Sequence, residues 1–309
     1  MSIVDELLSN SFVKIRNPSD VEAKLHKIIK DGYNNLMILA DFDYTLSKFK
    51  DLNGKECLIT HSIFVKCTQE VKPELSEKLK VICNKYGPFE HSTQISREEK
   101  ISKMEDWWNL SHECIVDSAL SHDDIEKFVK DAPLYLRDFA KEFMELIEIK
   151  NVPLIVFSAG IGNVIEMILQ QNLGKIPSQL HIISNFMNFN KKNICESFTE
   201  PTIHSCCKNS TVISGEQAYS EDIKNRPNII LLGDSIEDVQ MDIGMVNEST
   251  AIKIGFLNHS IDSRFDEYSK AFDILLIDCQ SMEIPLKLLK LCENFDFKNV
   301  KNLDAIKNL

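Results

Sequence analysis

No apolar run in this 309-residue chain approaches the ~20 residues that a membrane-spanning helix needs. A bilayer-spanning role is therefore not expected. Positive charge is in short supply. The 35 Lys and Arg against 47 Asp and Glu leave a net charge of −12, which disfavours binding to a nucleic-acid backbone. A small anionic substrate stays open, because a local metal ion and a lysine can reverse the field at one site; the bulk of the acidity reads as solvated surface. CxxC pairs are missing altogether. The nine cysteines are odd in number and irregularly spaced, with Cys206 and Cys207 adjacent. That pattern points to free thiols in a reducing compartment rather than to a disulfide framework or a zinc site. No secretory leader is expected, since residues 1–10 carry Asp5 and Glu6 within their short apolar stretch. The cytoplasm is the expected location, and a monomer the expected state. What remains is an ordinary globular composition, long enough for one large domain or one domain plus an insert.

The apolar pentad Leu36-Met37-Ile38-Leu39-Ala40 reads as a buried strand, and it delivers Asp41-Phe42-Asp43-Tyr44-Thr45-Leu46. Ahead of it, Val21, Leu25, Ile28 and Ile29 recur at helical spacing, with Asp20 as cap and Gly32 as stop. From about 48 to 137 the texture turns helical, as in Leu75, Leu79, Ile82 and Ile125, Phe128, Val129, and both tryptophans lie here. Beyond 138, strand and helix alternate. Strands are expected over 152–157, 181–184, 228–232, 252–256 and 274–277, with helices such as 164–170 and 236–243 between them. Continuous apolar strands alternating with helices predict an α/β fold with a parallel sheet covered on both faces. Ligands bind such sheets at the carboxyl ends of the strands. Aromatic–polar alternation over 185–215 predicts a hairpin.

Two carboxylates at the end of a buried strand are costly to desolvate unless a cation neutralises them. Asp41 and Asp43 would share one side if the strand geometry continued. Mg2+ is the natural partner, because it binds through a few carboxylates plus substrate phosphate. Ser158-Ala159-Gly160 follows a second strand and opens a helix, an arrangement that exposes N–H groups to an anion; as a sequence it reads equally well as a plain turn. Gly233-Asp234-Ser235-Ile236-Glu237-Asp238 follows a third strand. Its acids would suit a helix N-terminus or a metal shared with the first loop. Lys208 alone reads as surface.

Taken together, these segments resemble the haloacid dehalogenase superfamily. Asp41-x-Asp43-x-Thr45-Leu46 is similar to its first motif, Ser158 to its second, Lys208 to its third, and Gly233-Asp234-Ser235-x-x-Asp238 to its fourth. The longer runs Phe157-Ser158-Ala159-Gly160-Ile161-Gly162, Ser184-Asn185-Phe186-Met187 and Lys253-Ile254-Gly255-Phe256-Leu257-Asn258 resemble the cytosolic 5'-nucleotidase III family, from Arg16-Asn17-Pro18 to about 290. The resemblance implies a Rossmann-like doubly wound core, residues 1–47 and 138–309, with a helical cap over 48–137. It implies Asp41 as nucleophile forming an aspartyl-phosphate, and Asp43 as general acid and then base. It implies Mg2+ held by Asp41, Asp234 and the backbone carbonyl of Asp43, phosphate held by Ser158, Ala159 and Lys208, and Asp238 in support. Dehalogenases of the superfamily lack the second acid of the first motif, so Asp43 favours a phosphatase or phosphotransferase.

In the cap, the resemblance places Glu90, Trp108, Ser111 and His61 around the base of a nucleoside monophosphate. A Trp at position 108 resembles the members acting on 7-methylguanosine monophosphate, whose cationic base a Trp face attracts by roughly 0.5–2 kcal/mol; Tyr is typical of the pyrimidine enzymes acting on CMP and UMP. Of the two tryptophans, Trp107 is the one expected in the core. The chain departs from the family over Glu56-Cys57-Leu58-Ile59-Thr60 and Ile101-Ser102-Lys103, which bears on substrate choice. Hydrolysis, phosphotransfer to a second nucleoside, another small phosphate ester and a non-catalytic scaffold are the readings to separate. The intact acid and Lys set argues against the last.

Overall fold

The computed structural model describes residues 2–90, 92, 94–209, 223, 225–244 and 249–294; the tail 295–309, expected as a terminal helix or frayed end, lies outside them, as does the end of the expected hairpin. The strands are β1 (Val13–Ile15), β2 (Leu36–Ala40), β3 (Leu154–Ile161), β4 (Leu180–Asn185), β5 (Met187–Phe189), β6 (Cys195–Phe198), β7 (Asn228–Gly233), β8 (Thr250–Leu257) and β9 (Ile274–Ile277). The helices are α1 (Ile3–Leu8), α2 (Pro18–Asp31), α3 (Ser62–Lys66), α4 (Pro73–Glu90), α5 (Arg97–Asp117), α6 (His122–Asp131), α7 (Ala140–Lys150), α8 (Gly162–Leu173), α9 (Ile261–Ala271) and α10 (Glu283–Leu291).

Seven strands form one sheet in the order β1-β9-β8-β7-β2-β3-β4. All pairs are parallel except β1 with β9. Every residue of β2 is buried. Its alternation splits cleanly between layers: Leu36, Ile38 and Ala40 join the larger core, Met37 and Leu39 the smaller one. Residues 229–232 of β7 divide the same way, so both faces of the sheet are covered and both strands read as unbroken apolar runs. The chain leaves β2 toward β3 and β4 on one side and returns as β7, β8 and β9 on the other. The switch in direction therefore opens at the carboxyl end of β2, where such sheets bind ligands.

Three local expectations need correction. Asp20 does not cap α2: Asn17 holds the cap position and Pro18 starts the helix, leaving Asp20 in the first turn. A proline lacks the N–H that the first turn would leave unpaired, so the helix begins earlier than the acid signals. The expected helix over 236–243 is a short 3-10 turn, Ile236–Gln240, because Asp238 folds its carboxylate back onto the N–H groups of Asp234 and Ser235 at 3.2 and 3.0 Å. Among the described residues the hairpin is confined to β5 and β6.

Helices α3 to α6 lie between the acidic loop after β2 and the start of α7. Their two connecting chains run side by side: Lys48 N–H donates to Tyr135 O at 2.8 Å, Arg137 N–H to Leu46 O at 3.0 Å and Leu58 N–H to Pro133 O at 2.9 Å. The helical segment also leans on the hairpin. His112 of α5 stacks on Phe198 at 3.8 Å and 5°, and His122 N–H donates to Asn193 O at 2.9 Å.

Candidate active site

The strand geometry of β2 does not continue past Ala40. Thr45, Leu46 and Ser47 all donate their N–H to Phe42 O, at 3.3, 3.0 and 2.9 Å, and Tyr44 takes φ 59°. The loop thus turns within one residue of Asp43, and the two carboxylates part company. Asp41 stays in line with the sheet, its N–H on Leu232 O at 3.0 Å. Asp43 instead turns to Thr60, which donates its N–H to Oδ1 at 2.9 Å and its hydroxyl to Oδ2 at 2.6 Å. Thr60 is fully buried, and its Oγ1 also accepts the N–H of Ile161 at 3.2 Å. A side chain at Gly160 would bring a Cβ to 2.1 Å from that oxygen and 2.9 Å from Asp43 Oδ2, so only glycine leaves room for the clamp.

Asp41, Asp234 and Asp238 each offer a carboxylate oxygen within 4.8 Å of the other two. Lys208 Nζ reaches Asp41 Oδ1 at 2.6 Å and Asp238 Oδ1 at 2.8 Å, and the ammonium is buried. Burial, together with Asp238 and Asp43, pushes the Asp41 carboxyl up, against the pull of Lys208. Asp234 is raised by burial and by Asp41 and Asp238. Burial alone would lower Lys208, but Asp238 and Asp41 outweigh it and raise the ammonium. Burial raises Asp43 to about 6, with the Thr60 bonds pulling the other way. One lysine thus serves three crowded carboxylates, an arrangement that a hard divalent cation would complete. The all-oxygen donor set suits Mg2+; the Asp43 carboxylate, held on Thr60, stands outside that set. Around it, Tyr268 OH donates to Asp234 O at 2.7 Å, and Ser158 Oγ accepts Gly160 N–H at 3.0 Å. Asn185 and Ser184 hold the Ala159 and Gly160 carbonyls at 2.8 and 2.9 Å.

One cavity of about 230 Å³ is lined by Asp41, Asp43, Ser158, Ala159, Lys208, Asp234 and Asp238, and also by His61, Glu90, Trp107 and Trp108. The residues expected at the site therefore meet, with one exception. Ser111 is fully buried, its Oγ has no partner among the described residues, and it does not line the cavity. The tryptophans also differ from expectation. Both are half-buried and stacked at 6.4 Å and 20°, yet it is Trp108 that packs against the main core while also facing the cavity. Trp107, expected inside, lies on the cavity wall. The reason is helical phase: Met104, Ser111 and Ile115 mark the buried stripe of α5, and Trp108 falls on it. His61 meets Trp108 edge-on at 5.2 Å; its Nε2 has no partner among the described residues, and burial depresses its pKa to about 4. A wider groove of about 760 Å³ between α5 and the hairpin is lined by Glu105, Glu113, Asp117 and Glu200, and holds neither Lys208 nor any of Asp41, Asp43, Asp234 and Asp238.

Two further residues escaped sequence reasoning. Thr60 is one. Arg137 is the other: fully enclosed, it donates to the carbonyls of Thr45 (2.6 Å), Tyr44 and Cys279 and to Asn258 Oδ1 (3.0 Å). Neither carries a local motif that would have marked it.

The fold is that of the haloacid dehalogenase-like hydrolases. The chain belongs to the pyrimidine 5'-nucleotidase (UMPH-1) family, whose model matches residues 44–293, and it is a phosphoric monoester hydrolase of the 5'-nucleotidase kind. A Caenorhabditis elegans relative named as a cytosolic 5'-nucleotidase 3 is 39% identical over 93% of this chain and 77% of its own length. A Gallus gallus 7-methylguanosine phosphate-specific 5'-nucleotidase is 32% identical over 92% and 96%. The crystal structure of cytosolic 5'-nucleotidase IIIB bound to cytidine superposes with a TM-score of 0.84 at 30% identity, covering 95% of this chain and 97% of that one.

Proposed function

We propose that this chain is a Mg2+-dependent 5'-nucleotidase acting on 7-methyl-GMP, CMP or UMP, and releasing nucleoside and inorganic phosphate. The observation that carries the reading is the division of labour between two acids of one loop: Asp41 sits among carboxylates beside Lys208, while Asp43 is held apart by Thr60. Asp41 attacks phosphorus as the bond to the ribose oxygen breaks, forming an aspartyl-phosphate. Asp43 gives its proton to the departing oxygen. It then takes a proton from water, which attacks the aspartyl-phosphate and frees phosphate and Asp41. Lys208, the Ser158 hydroxyl and the Ala159 N–H hold the transferring oxygens. Mg2+ on Asp41, Asp234 and the Asp43 carbonyl, with Asp238 in support, would neutralise the phosphate so that one anion can approach another.

The helical segment over 48–137 acts as a cap on the core formed by 1–47 and 138–309, excluding water from the transfer. Glu90, Trp108 and His61 grip the base, and Ser111 supports that wall from within the core. The names of the chicken and worm relatives and the cytidine in the solved structure support a nucleoside monophosphate substrate. Nine free cysteines and the worm relative's name support the cytoplasm. Phosphate release from CMP, UMP, 7-methyl-GMP, GMP, AMP and a sugar phosphate, with Mg2+ and then with EDTA, tests the proposal. Asp41→Asn is expected to abolish release; wild-type turnover in that variant sinks the mechanism. Product analysis with an added acceptor nucleoside separates hydrolysis from phosphotransfer.

A further inference from the structure

One cation on the cavity wall has no task in this chemistry. Arg264, in α9, lines the same cavity as Asp41, Ser158 and Lys208. It is half-buried, and its guanidinium lies 4.7 Å above the ring of Tyr268. Tyr268 is itself tied to the Asp234 carbonyl at 2.7 Å, so the loop after β7 fixes the surface on which the guanidinium rests. Arg264 Nη1 meets His259 Nε2 at 3.3 Å, and His259 lies against Phe49 at 5.5 Å. No carboxylate of the described residues lies within ion-pair distance of Arg264. Lys208, by contrast, is paired with both Asp41 and Asp238.

We propose that Arg264, oriented by Tyr268 and His259, forms a second anion subsite that takes a phosphate group outside the transfer position. The sheet order separates the two places. Ser158 and Ala159 lie in β3, on one side of β2, whereas His259 and Arg264 follow β8, beyond β7 on the other. A phosphate between Asp41 and Ser158 therefore leaves Arg264 facing a different part of the ligand. Stacking on an aromatic ring uses the face of a guanidinium and leaves its N–H edge to hydrogen-bond; with Nη1 on His259, the remaining N–H groups can pair with a phosphate oxygen edge. The phosphate has two possible sources: a second phosphate on the ribose of the substrate, or the inorganic phosphate product. The inference rests on the nucleotidase reading for its substrate but not for the binding of phosphate itself.

The experiment compares kcat/KM for a nucleoside 5'-monophosphate with that for its 2',5'- and 3',5'-bisphosphates, in the wild type and in Arg264→Gln. Equilibrium binding of inorganic phosphate is measured on both proteins by calorimetry. Lys270→Gln, an exposed site on the same helix, removes the same charge without the contact. The expected result is a fall of about tenfold in the bisphosphate-to-monophosphate ratio in Arg264→Gln, and none in Lys270→Gln. An unchanged ratio with phosphate binding weakened about tenfold supports the subsite and assigns it to the product. Unchanged ratio and unchanged binding, or equal falls in both variants, overturn it. Failure of the wild type to turn over any nucleotide would remove the nucleotidase reading, and the binding comparison would still decide whether Arg264 holds phosphate.

Discussion

Thr60→Val removes one hydroxyl and keeps the shape of the side chain. In the structure that hydroxyl donates to Asp43 Oδ2 at 2.6 Å and accepts from Ile161 N–H at 3.2 Å, while the Thr60 N–H to Asp43 Oδ1 at 2.9 Å is a backbone bond and survives. A hydrogen bond to a charged group contributes roughly 1.5–3 kcal/mol. If that energy serves to aim the Asp43 carboxyl, its loss lowers kcat by about ten- to a hundredfold, since each 1.36 kcal/mol is a factor of ten. KM should hardly move, because Thr60 does not line the cavity. The assay uses two leaving groups. A ribose oxygen needs the proton that Asp43 supplies; p-nitrophenolate does not. Thr60→Val should therefore lose much more activity on a nucleoside monophosphate than on p-nitrophenyl phosphate, and Thr60→Ser should recover most of it. Equal losses on both substrates would refute the reasoning, since they would mean that the hydroxyl holds the fold and not the acid.

Lys208→Met leaves three crowded carboxylates without their cation. It should destabilise the metal-free protein by roughly 3–5 kcal/mol, with part of the Tm recovered on adding Mg2+; a metal-free Tm equal to the wild type's would contradict the charge accounting. Burial depresses the pKa of His61 to about 4 and, with the neighbouring His61, that of His112 to about 3. Both are lowered, so the unfolded chain binds more protons below its own pKa near 6.5. Stability is then full above about pH 6.5 and falls as the pH drops toward the folded values, by about 2 kcal/mol per histidine between pH 6.5 and 5.0. Urea titrations of the wild type and a His61→Asn, His112→Asn double variant check this; identical slopes of stability against pH in the two proteins would contradict it.

The strands of the core were legible because they are buried on both faces. Residues 36–40 and 274–277 carry no alternation to misread, only an unbroken apolar run between polar turns. Side-chain clamps were not legible, because their partners are distant in sequence. Thr60 meets Asp43 across 17 positions and Arg137 meets Tyr44 across 93, and neither distance leaves a period or spacing behind. Trp107 and Trp108 show a third limit. Adjacent residues on a helix differ by about 100°, and their relative burial depends on how the whole helix is rotated against its neighbours. The stripe of Met104, Ser111 and Ile115 carried that rotation, but Ser111 disguised it as polar.

Arg137 explains how the loop holds its two acids apart. A guanidinium enclosed without a carboxylate partner is costly to desolvate, and burial lowers its pKa to about 10. What offsets that penalty is a set of oxygens and a ring: the Thr45, Tyr44 and Cys279 carbonyls, Asn258 Oδ1, and Phe256, whose ring centre lies 4.0 Å from the guanidinium carbon. Asn258 in turn donates to the Tyr44 carbonyl at 3.0 Å. Two donors therefore converge on one carbonyl, that of the residue at φ 59°. A non-glycine residue in that conformation is strained, and these bonds hold the strain in place. Without that turn the loop would continue as strand, and Asp43 would come to lie beside Asp41, adding a fourth carboxylate to the three around Lys208. Arg137 begins the chain that returns from the helical segment to the core, and Thr60 lies at that segment's other end. Both ends of the segment thus reach the same turn, so a shift of the helices against the sheet acts on the position of Asp43 through Thr60 and Arg137.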